Sequence, residues 1–305
     1  MSVDLSVPVG SLSLRNPVMT ASGTAGHGAE LAGHVDLAAL GAVVVKSLSA
    51  EPWPGNPAPR LHETPAGMVN SVGLQGRGVE HWLATELPEL AATGATVIAS
   101  IWGHTVADYA KAASMLAEAD AVVAVEVNLS CPNLDHAGEM FAQRPEAAAA
   151  AVEASLACGR PLWAKLTAAV TDLVEIAEAA AAAGADAVTL INTVPGLVLD
   201  VETRRPRLGG GGGGLSGPAI HPIAVRAVHD VHAALGGLPI VGVGGVSGAV
   251  DVVELMMAGA SAVQVGTATF ADPRSVGRIA GELESWCNRH GVNTITELIG
   301  AVHAR

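Results

Sequence analysis

Cys131 lies in the stretch VEVNLSCPN, residues 125–133, between Asn128 and Asn133. A thiol that packs in a core needs no asparagines beside it, whereas a thiol that reacts needs surroundings that help the thiolate form. Two lysines, Lys46 and Lys165, each close an apolar run, AVVVKS and PLWAKL. Either alone reads as a lysine snorkelling to the surface. Two at corresponding strand ends point to an anion or an electron-rich ring, because a buried ammonium is costly without a partner. Asn70, Asn128, Asn133 and Asn192 add paired donors and acceptors. A ring with alternating N–H and C=O edges, such as a pyrimidine, needs that pairing. Turn capping is the ordinary use of a single asparagine. Four near strand ends or on one long loop, two of them bracketing a cysteine, favour a ligand.

Such residues act together only if the chain brings them to one place. Eight short apolar runs recur at 17–21, 42–47, 96–101, 121–128, 161–166, 187–192, 239–244 and 262–267. Helix signals follow most of them. Thr105 with Asp108 makes a capping box, Pro145 and Pro218 lead into alanine- and valine-rich segments, and Thr171 and Ser247 are set to open two more. Apolar strands alternating with helices predict a parallel sheet covered by helices. Eight units match a (β/α)8 TIM barrel, here one domain over residues 1–305 with an N-terminal hairpin closing the bottom. An open doubly wound sheet is the rival, weakened because no GxGxxG turn follows the first strand. Two long Pro/Gly-rich loops stand out, 49–76 after strand two and 193–217 after strand six. The second carries a hexaglycine tract, Gly209–Gly214, that reads as permissive backbone.

Barrel active sites lie at the C-terminal mouth of the strands. That mouth receives Ser22, Lys46, Ser47, Asn128, Cys131, Lys165, Asn192, Thr193, Gly244, Gly245, Gly266 and Thr267. The runs VGVGGV and QVGTA end strands seven and eight, where glycine lets a phosphate approach backbone N–H groups. Glycine pairs also serve tight turns. Gly217, on the neighbouring insertion, can join the same pocket. His229 and His232 stand three apart on one helix without an evident third ligand, so they read as a solvated face and no metal is expected.

Composition excludes other classes. The 305 residues are 50% hydrophobic and 15% charged, with a net charge of -13 and no long basic run. Nucleic acid and anionic membranes require clustered Lys and Arg. Three scattered cysteines, Cys131, Cys158 and Cys287, offer neither a disulfide framework nor a zinc site. Cys158 and Cys287 read as packed thiols within helices. Neither a signal peptide nor an apolar run long enough to span a bilayer is evident, so a reducing, cytoplasmic setting is expected.

Nearly the whole chain resembles class 1 dihydroorotate dehydrogenases, and within them the NAD-linked type B catalytic subunits. The matching stretches occur in family order: NPVMTASGTAGHG, VVVKSLSAEPWPGNPAPR, NSVGLQ, VNLSCPN, AKLT, INT, RPRLGGGGGGLSGPAI, VGVGGV and QVGTA. The resemblance implies FMN on the barrel and oxidation of dihydroorotate to orotate in pyrimidine biosynthesis. It implies FMN contacts from Ser22, Lys46, Ser47, Asn128, Lys165, Ile191, Gly217, Gly244, Gly245, Gly266 and Thr267. Substrate contacts would come from Lys46, from Asn70, Ser71, Val72, Gly73 and Leu74, and from Asn128, Asn133, Asn192 and Thr193. Cys131 would be the catalytic base. A second subunit carrying FAD and a [2Fe-2S] cluster would pass electrons to NAD, in a heterotetramer built on a homodimer core. A fumarate-linked enzyme, a related dihydropyrimidine dehydrogenase and a non-catalytic ligand-binding barrel are the alternatives.

Overall fold

A computed structural model describes residues 3–130 and 139–304. Eight parallel strands form its centre: β1 (Val18–Thr20), β2 (Val43–Val44), β3 (Val97–Ile101), β4 (Val122–Asn128), β5 (Leu162–Leu166), β6 (Ala187–Leu190), β7 (Ile240–Val243) and β8 (Ala262–Val265). Ladders join β2 through β8 in chain order, and β8 pairs with β1. The ring closes where Met19 bridges Ala42 in parallel and the Gly41 N–H donates to the Val18 carbonyl at 2.9 Å. This is the expected (β/α)8 barrel. Its strands read as near-continuous valine, isoleucine and alanine because both faces are covered, one by the barrel interior and one by helices.

The helices are α1 (Val79–Ala92), α2 (Val106–Met115), α3 (Pro145–Ser155), α4 (Leu173–Ala182), α5 (His221–Ala234), α6 (Ala249–Ala258), the short α7 (Ala268–Ala271) and α8 (Ser275–His290). Thr105 and Asp108 cap α2 reciprocally, as their spacing predicts. Three boundaries differ from the sequence reading. Asp172, not Thr171, caps α4, its carboxylate accepting from the Glu175 N–H at 3.1 Å. Gly248, not Ser247, is the cap residue of α6, and Asp251 reaches back to hold both N–H groups. Helix α3 ends at Ser155 and tightens into a 3-10 turn, so Cys158 is buried in that turn rather than in the α-helix. Cys287 is buried in α8, as expected.

The hairpin of Val7–Val9 and Leu12–Leu14 sits at the bottom of the barrel. A Cβ on its turn residue, Gly10, would lie 3.1 Å from Asp186, just before β6 begins. The imidazoles of His229 and His232 are not simply solvated. The ring of His303 stacks on His229 at 4.4 Å and tilts against His232 at 4.8 Å. Among the described residues, no helix is long and apolar enough to cross a membrane.

The two long loops meet each other. Residues Leu61–Thr64 and Gly67–Asn70 from the first pair with Gly213–Ser216 and Val194–Gly196 from the second in one four-stranded antiparallel sheet. That sheet stands beside the barrel mouth, with Gly214 opposite Asn70 and Ser216 opposite Met68.

Candidate active site

A polar layer crosses the barrel interior just below the mouth. Glu126 of β4 accepts from the Gln264 amide of β8 at 2.6 Å. These strands lie on opposite sides of the ring, so the bond spans the lumen. The Lys165 ammonium joins them, 3.3 Å from Glu126, 3.1 Å from the Gln264 carbonyl and 3.2 Å from the Ser22 hydroxyl. Glu126 and Gln264 are fully buried and Lys165 is 4% exposed. With its hydrogen bonds made, such a pair holds one geometry. Broken, it leaves a costly buried charge.

Above that layer, Asn128 organises the mouth. Its amide donates to the Ser47 hydroxyl at 3.3 Å, its side-chain carbonyl accepts from the Asn192 amide at 3.1 Å, and its main-chain carbonyl accepts from Tyr109 at 2.7 Å. Ser47 is itself within 2.9 Å of Ser100. Asn192 also accepts from the Thr193 N–H at 2.8 Å. Lys46 is partly buried, its backbone N–H donates to the Gly26 carbonyl at 2.8 Å, and among the described residues its ammonium has no hydrogen-bond or ion-pair partner. Burial, reinforced by the Lys165 ammonium, pulls its pKa down to about 8. Two ammonium groups thus face one space, and among the described residues only Lys165 has a carboxylate.

The sheet of the two long loops forms one wall. Asn70 donates to the Gly214 carbonyl at 3.1 Å, and Asn56 donates to the Ser71 hydroxyl at 2.9 Å. Arg60 braces this loop through the carbonyls of Asn56 and Pro54 and the side chain of Gln75. The glycine tract is not permissive here. A Cβ on Gly213 would lie 2.3 Å from the Asn70 carbonyl oxygen, and one on Gly214 would lie 1.9 Å from Thr193 Oγ1. Glycine lets two backbones touch at 213 and leaves room for the Thr193 side chain at 214; at Gly212 the nearest atom would be 3.6 Å away.

One cavity of about 480 Å³ gathers these groups, within the roughly 300–1,000 Å³ typical of small-molecule sites. Ser22, Lys46, Ser47, Asn128, Lys165, Ile191, Gly217, Gly244, Gly245, Gly266 and Thr267 all line it. So do Asn70, Ser71, Val72, Gly73, Leu74, Asn192 and Thr193. Cys131 and Asn133 lie outside the described residues, and the chain is described up to Ser130, which lines the cavity.

These residues suit a phosphate-bearing flavin. Among the described residues, the backbone N–H groups of Gly244, Gly245, Gly266 and Thr267 have no protein acceptor. They lie after β7 and β8, where barrels of this kind bind phosphate. Gly245 has φ 71° and a Cβ there would strike His221 at 2.7 Å, so the turn keeps its backbone bare. Lys165 supplies a fixed cation at the other end of the space.

Several groups escaped the sequence reading. Glu126 and Gln264 were hidden inside apolar runs. Trp53, Trp102 and His104 pack edge-to-face, with centroids 4.8–6.0 Å apart, and all line the cavity. Position puts His104 in a loop at the mouth without assigning it a role, and Trp102 follows β3 at the same mouth.

A parallel barrel with lysines, asparagines and bare glycine turns at its C-terminal mouth defines the class: a (β/α)8 barrel with a polar small-molecule site at that mouth. The family model for dihydroorotate dehydrogenase matches residues 4–286. The chain belongs to the dihydroorotate dehydrogenase family. It is 49% identical over 304 residues to a protein of Desulforudis audaxviator and 47% identical over 303 residues to one of Pelobacter propionicus, in each case over 99% of both chains. It is 46% identical over 300 residues, 98% of both chains, to one of Geobacter sulfurreducens. All three are named dihydroorotate dehydrogenase B (NAD(+)), catalytic subunit.

Proposed function

We propose that this chain is the catalytic subunit of an NAD-linked dihydroorotate dehydrogenase, oxidising dihydroorotate to orotate in pyrimidine biosynthesis. The observation that carries the reading is the single cavity in which Lys46, Lys165 and four asparagines, Asn56, Asn70, Asn128 and Asn192, meet the glycine turns after β7 and β8. That set offers a cation for a carboxylate, amide pairs for a pyrimidine ring and bare N–H groups for a phosphate.

The resident cofactor in this reading is FMN, held by Ser22, Lys46, Ser47, Asn128, Lys165, Ile191, Gly217, Gly244, Gly245, Gly266 and Thr267. When bound, FMN supplies the acceptor for the hydride that leaves C6 of the substrate. The chain's own residues do the rest. Lys46 and the asparagines Asn70, Asn128 and Asn192, with Ser71 to Leu74, Thr193 and Asn133, orient the substrate. Lys165, positioned by Glu126 and Gln264, would stabilise negative charge on the bound flavin. Cys131 removes the C5 proton as general base, for which a thiol with an ordinary pKa of about 8.5 needs local help to ionise. Electrons leave through a second subunit bearing FAD and a [2Fe-2S] cluster, in a cytoplasmic heterotetramer with a homodimer core. Three cysteines are too few and too scattered for this chain to hold that cluster itself.

Anaerobic mixing with dihydroorotate tests the reading: the purified yellow protein should bleach, and dihydrouracil should leave it oxidised. Adding NAD, fumarate or a quinone, with and without the partner subunit, then identifies the acceptor. A colourless protein, or one bleached by dihydrouracil alone, overturns the assignment.

A further inference from the structure

Tyr109 is the only tyrosine of the chain and is fully buried on α2. Its hydroxyl donates to the main-chain carbonyl of Asn128 at 2.7 Å. A carbonyl oxygen only accepts, so the direction of this bond is fixed. The ring packs edge-to-face on Phe141, which is also fully buried, with centroids 5.1 Å apart.

These two contacts sit where the chain leaves β4 and where it comes back. Leu129 follows Asn128; its N–H donates to the Lys165 carbonyl at 3.1 Å, and its own carbonyl accepts from the Ala142 N–H at 2.9 Å. Asn128 and Phe141 are thus the neighbours of two residues already bonded to each other, and Tyr109 touches both. The end of β4 is fastened from three directions: by β5, by residues 141–142 and by α2.

The side chain of Asn128 points the other way, into the cavity. Its amide donates to the Ser47 hydroxyl at 3.3 Å, and its side-chain carbonyl accepts from the Asn192 amide at 3.1 Å and the Ser130 N–H at 3.2 Å. Tyr109 itself does not line that cavity. Any buried tyrosine hydroxyl needs a partner. Here the partner is the backbone of the residue that organises the mouth, so a rigid ring outside the barrel wall sets the angle of a side chain inside it.

We infer that Tyr109 is a positioning residue for pyrimidine recognition, holding Asn128 from behind the barrel wall in the orientation that grips the substrate ring. The inference rests on the reading of Asn128 as a substrate contact. Phenylalanine at 109 fills the same volume and keeps the contact with Phe141, but it releases the Asn128 carbonyl.

The test is orotate binding with FMN kept saturating, read from the flavin spectrum. Tyr109→Phe should weaken orotate about fivefold, the loss expected for one ordinary hydrogen bond. In an Asn128→Ala background the same change should have less than about a twofold effect, because the two residues act as one. Ser155→Ala is the control. It removes a buried hydroxyl that donates to the Ala151 carbonyl at the same 2.7 Å, within α3 and away from the cavity, and it should leave orotate affinity unchanged. A hydroxyl that only supports the fold would lower thermal stability in both variants and spare orotate binding in both; that result overturns the inference. An undiminished loss in the Asn128→Ala background overturns it as well. A second measurement leaves Tyr109 in place, so a Tyr109→Phe chain that fails to fold does not end the test. Fluorotyrosine incorporated into the wild type labels this residue alone, and its fluorine resonance should move when orotate binds; a resonance that stays in place overturns the inference. Equal orotate affinity in wild type and Asn128→Ala overturns the reading of Asn128 beneath it.

Discussion

The Lys165 ammonium and the Glu126 carboxylate lie 3.3 Å apart inside the barrel, on neighbouring strands, with Gln264 bonded to both from across the lumen. The pair fixes the position of the Lys165 ammonium, and among the described residues Lys46 has no carboxylate partner. Removing one member alone should therefore be worse than removing both. Lys165→Met leaves Glu126 buried and unpaired, at a cost of about 3–5 kcal/mol. The double variant Lys165→Met/Glu126→Gln should regain most of that loss in denaturant unfolding of the apoprotein. Additive losses would mean that the two residues are not coupled.

Lys46 sets a pH limit on ligand binding. Burial and the neighbouring ammonium lower its pKa to about 8 from the ordinary 10.5. Below about 8 it is charged and can meet a carboxylate; above, it is neutral. Orotate affinity of the flavin-loaded protein should fall as pH rises through that value, and Lys46→Met should be weak and flat. Spectral titration from pH 7 to 9 reads both. The stability of the ligand-free chain has the opposite sign. Between about 8 and 10.5 the unfolded chain holds the Lys46 proton that the folded one has lost, so this group makes stability rise with pH there.

Cys131 is expected to matter for turnover and not for colour. Cys131→Ala should keep the FMN absorbance and lose steady-state turnover by orders of magnitude. Cys131→Ser should be slow, with its optimum moved to higher pH because a hydroxyl ionises less readily than a thiol. Near-normal turnover of Cys131→Ala across the pH range would remove it as the base.

The glycine tract should tolerate substitution unevenly. Gly213→Ala drives a methyl to within 2.3 Å of the Asn70 carbonyl oxygen, whereas Gly212→Ala meets nothing closer than 3.6 Å. The first should cost about 1–3 kcal/mol and raise the KM for dihydroorotate, while the second stays within ~0.5 kcal/mol of wild type. Equal behaviour in thermal unfolding would contradict the packed arrangement.

The barrel was legible because covered parallel strands must be apolar and must alternate with helices. Lys46, Lys165 and Asn128 were legible because each interrupts or ends an apolar run. Glu126 was not, although it lies two residues before Asn128 on the same side of β4. A carboxylate inside a valine-rich run reads as an isolated polar intrusion until Gln264, 138 residues away, is seen to reach it. The pairing of the two long loops was equally hidden, since glycine carries no pattern from which register can be read.

The sheet formed by those loops makes the glycine tract a ruler. Gly214 pairs with Asn70, Ser216 pairs with Met68, and the Thr267 hydroxyl donates to Ser216 at 2.8 Å. Side chains alternate along a strand with a period of two. One residue more or fewer before Ser216 would turn that hydroxyl away from Thr267 and move Asn70 off its glycine. Within the tract only Gly211 and Gly212 are free of close contact, and the length of the tract is held by a count that both loops must share.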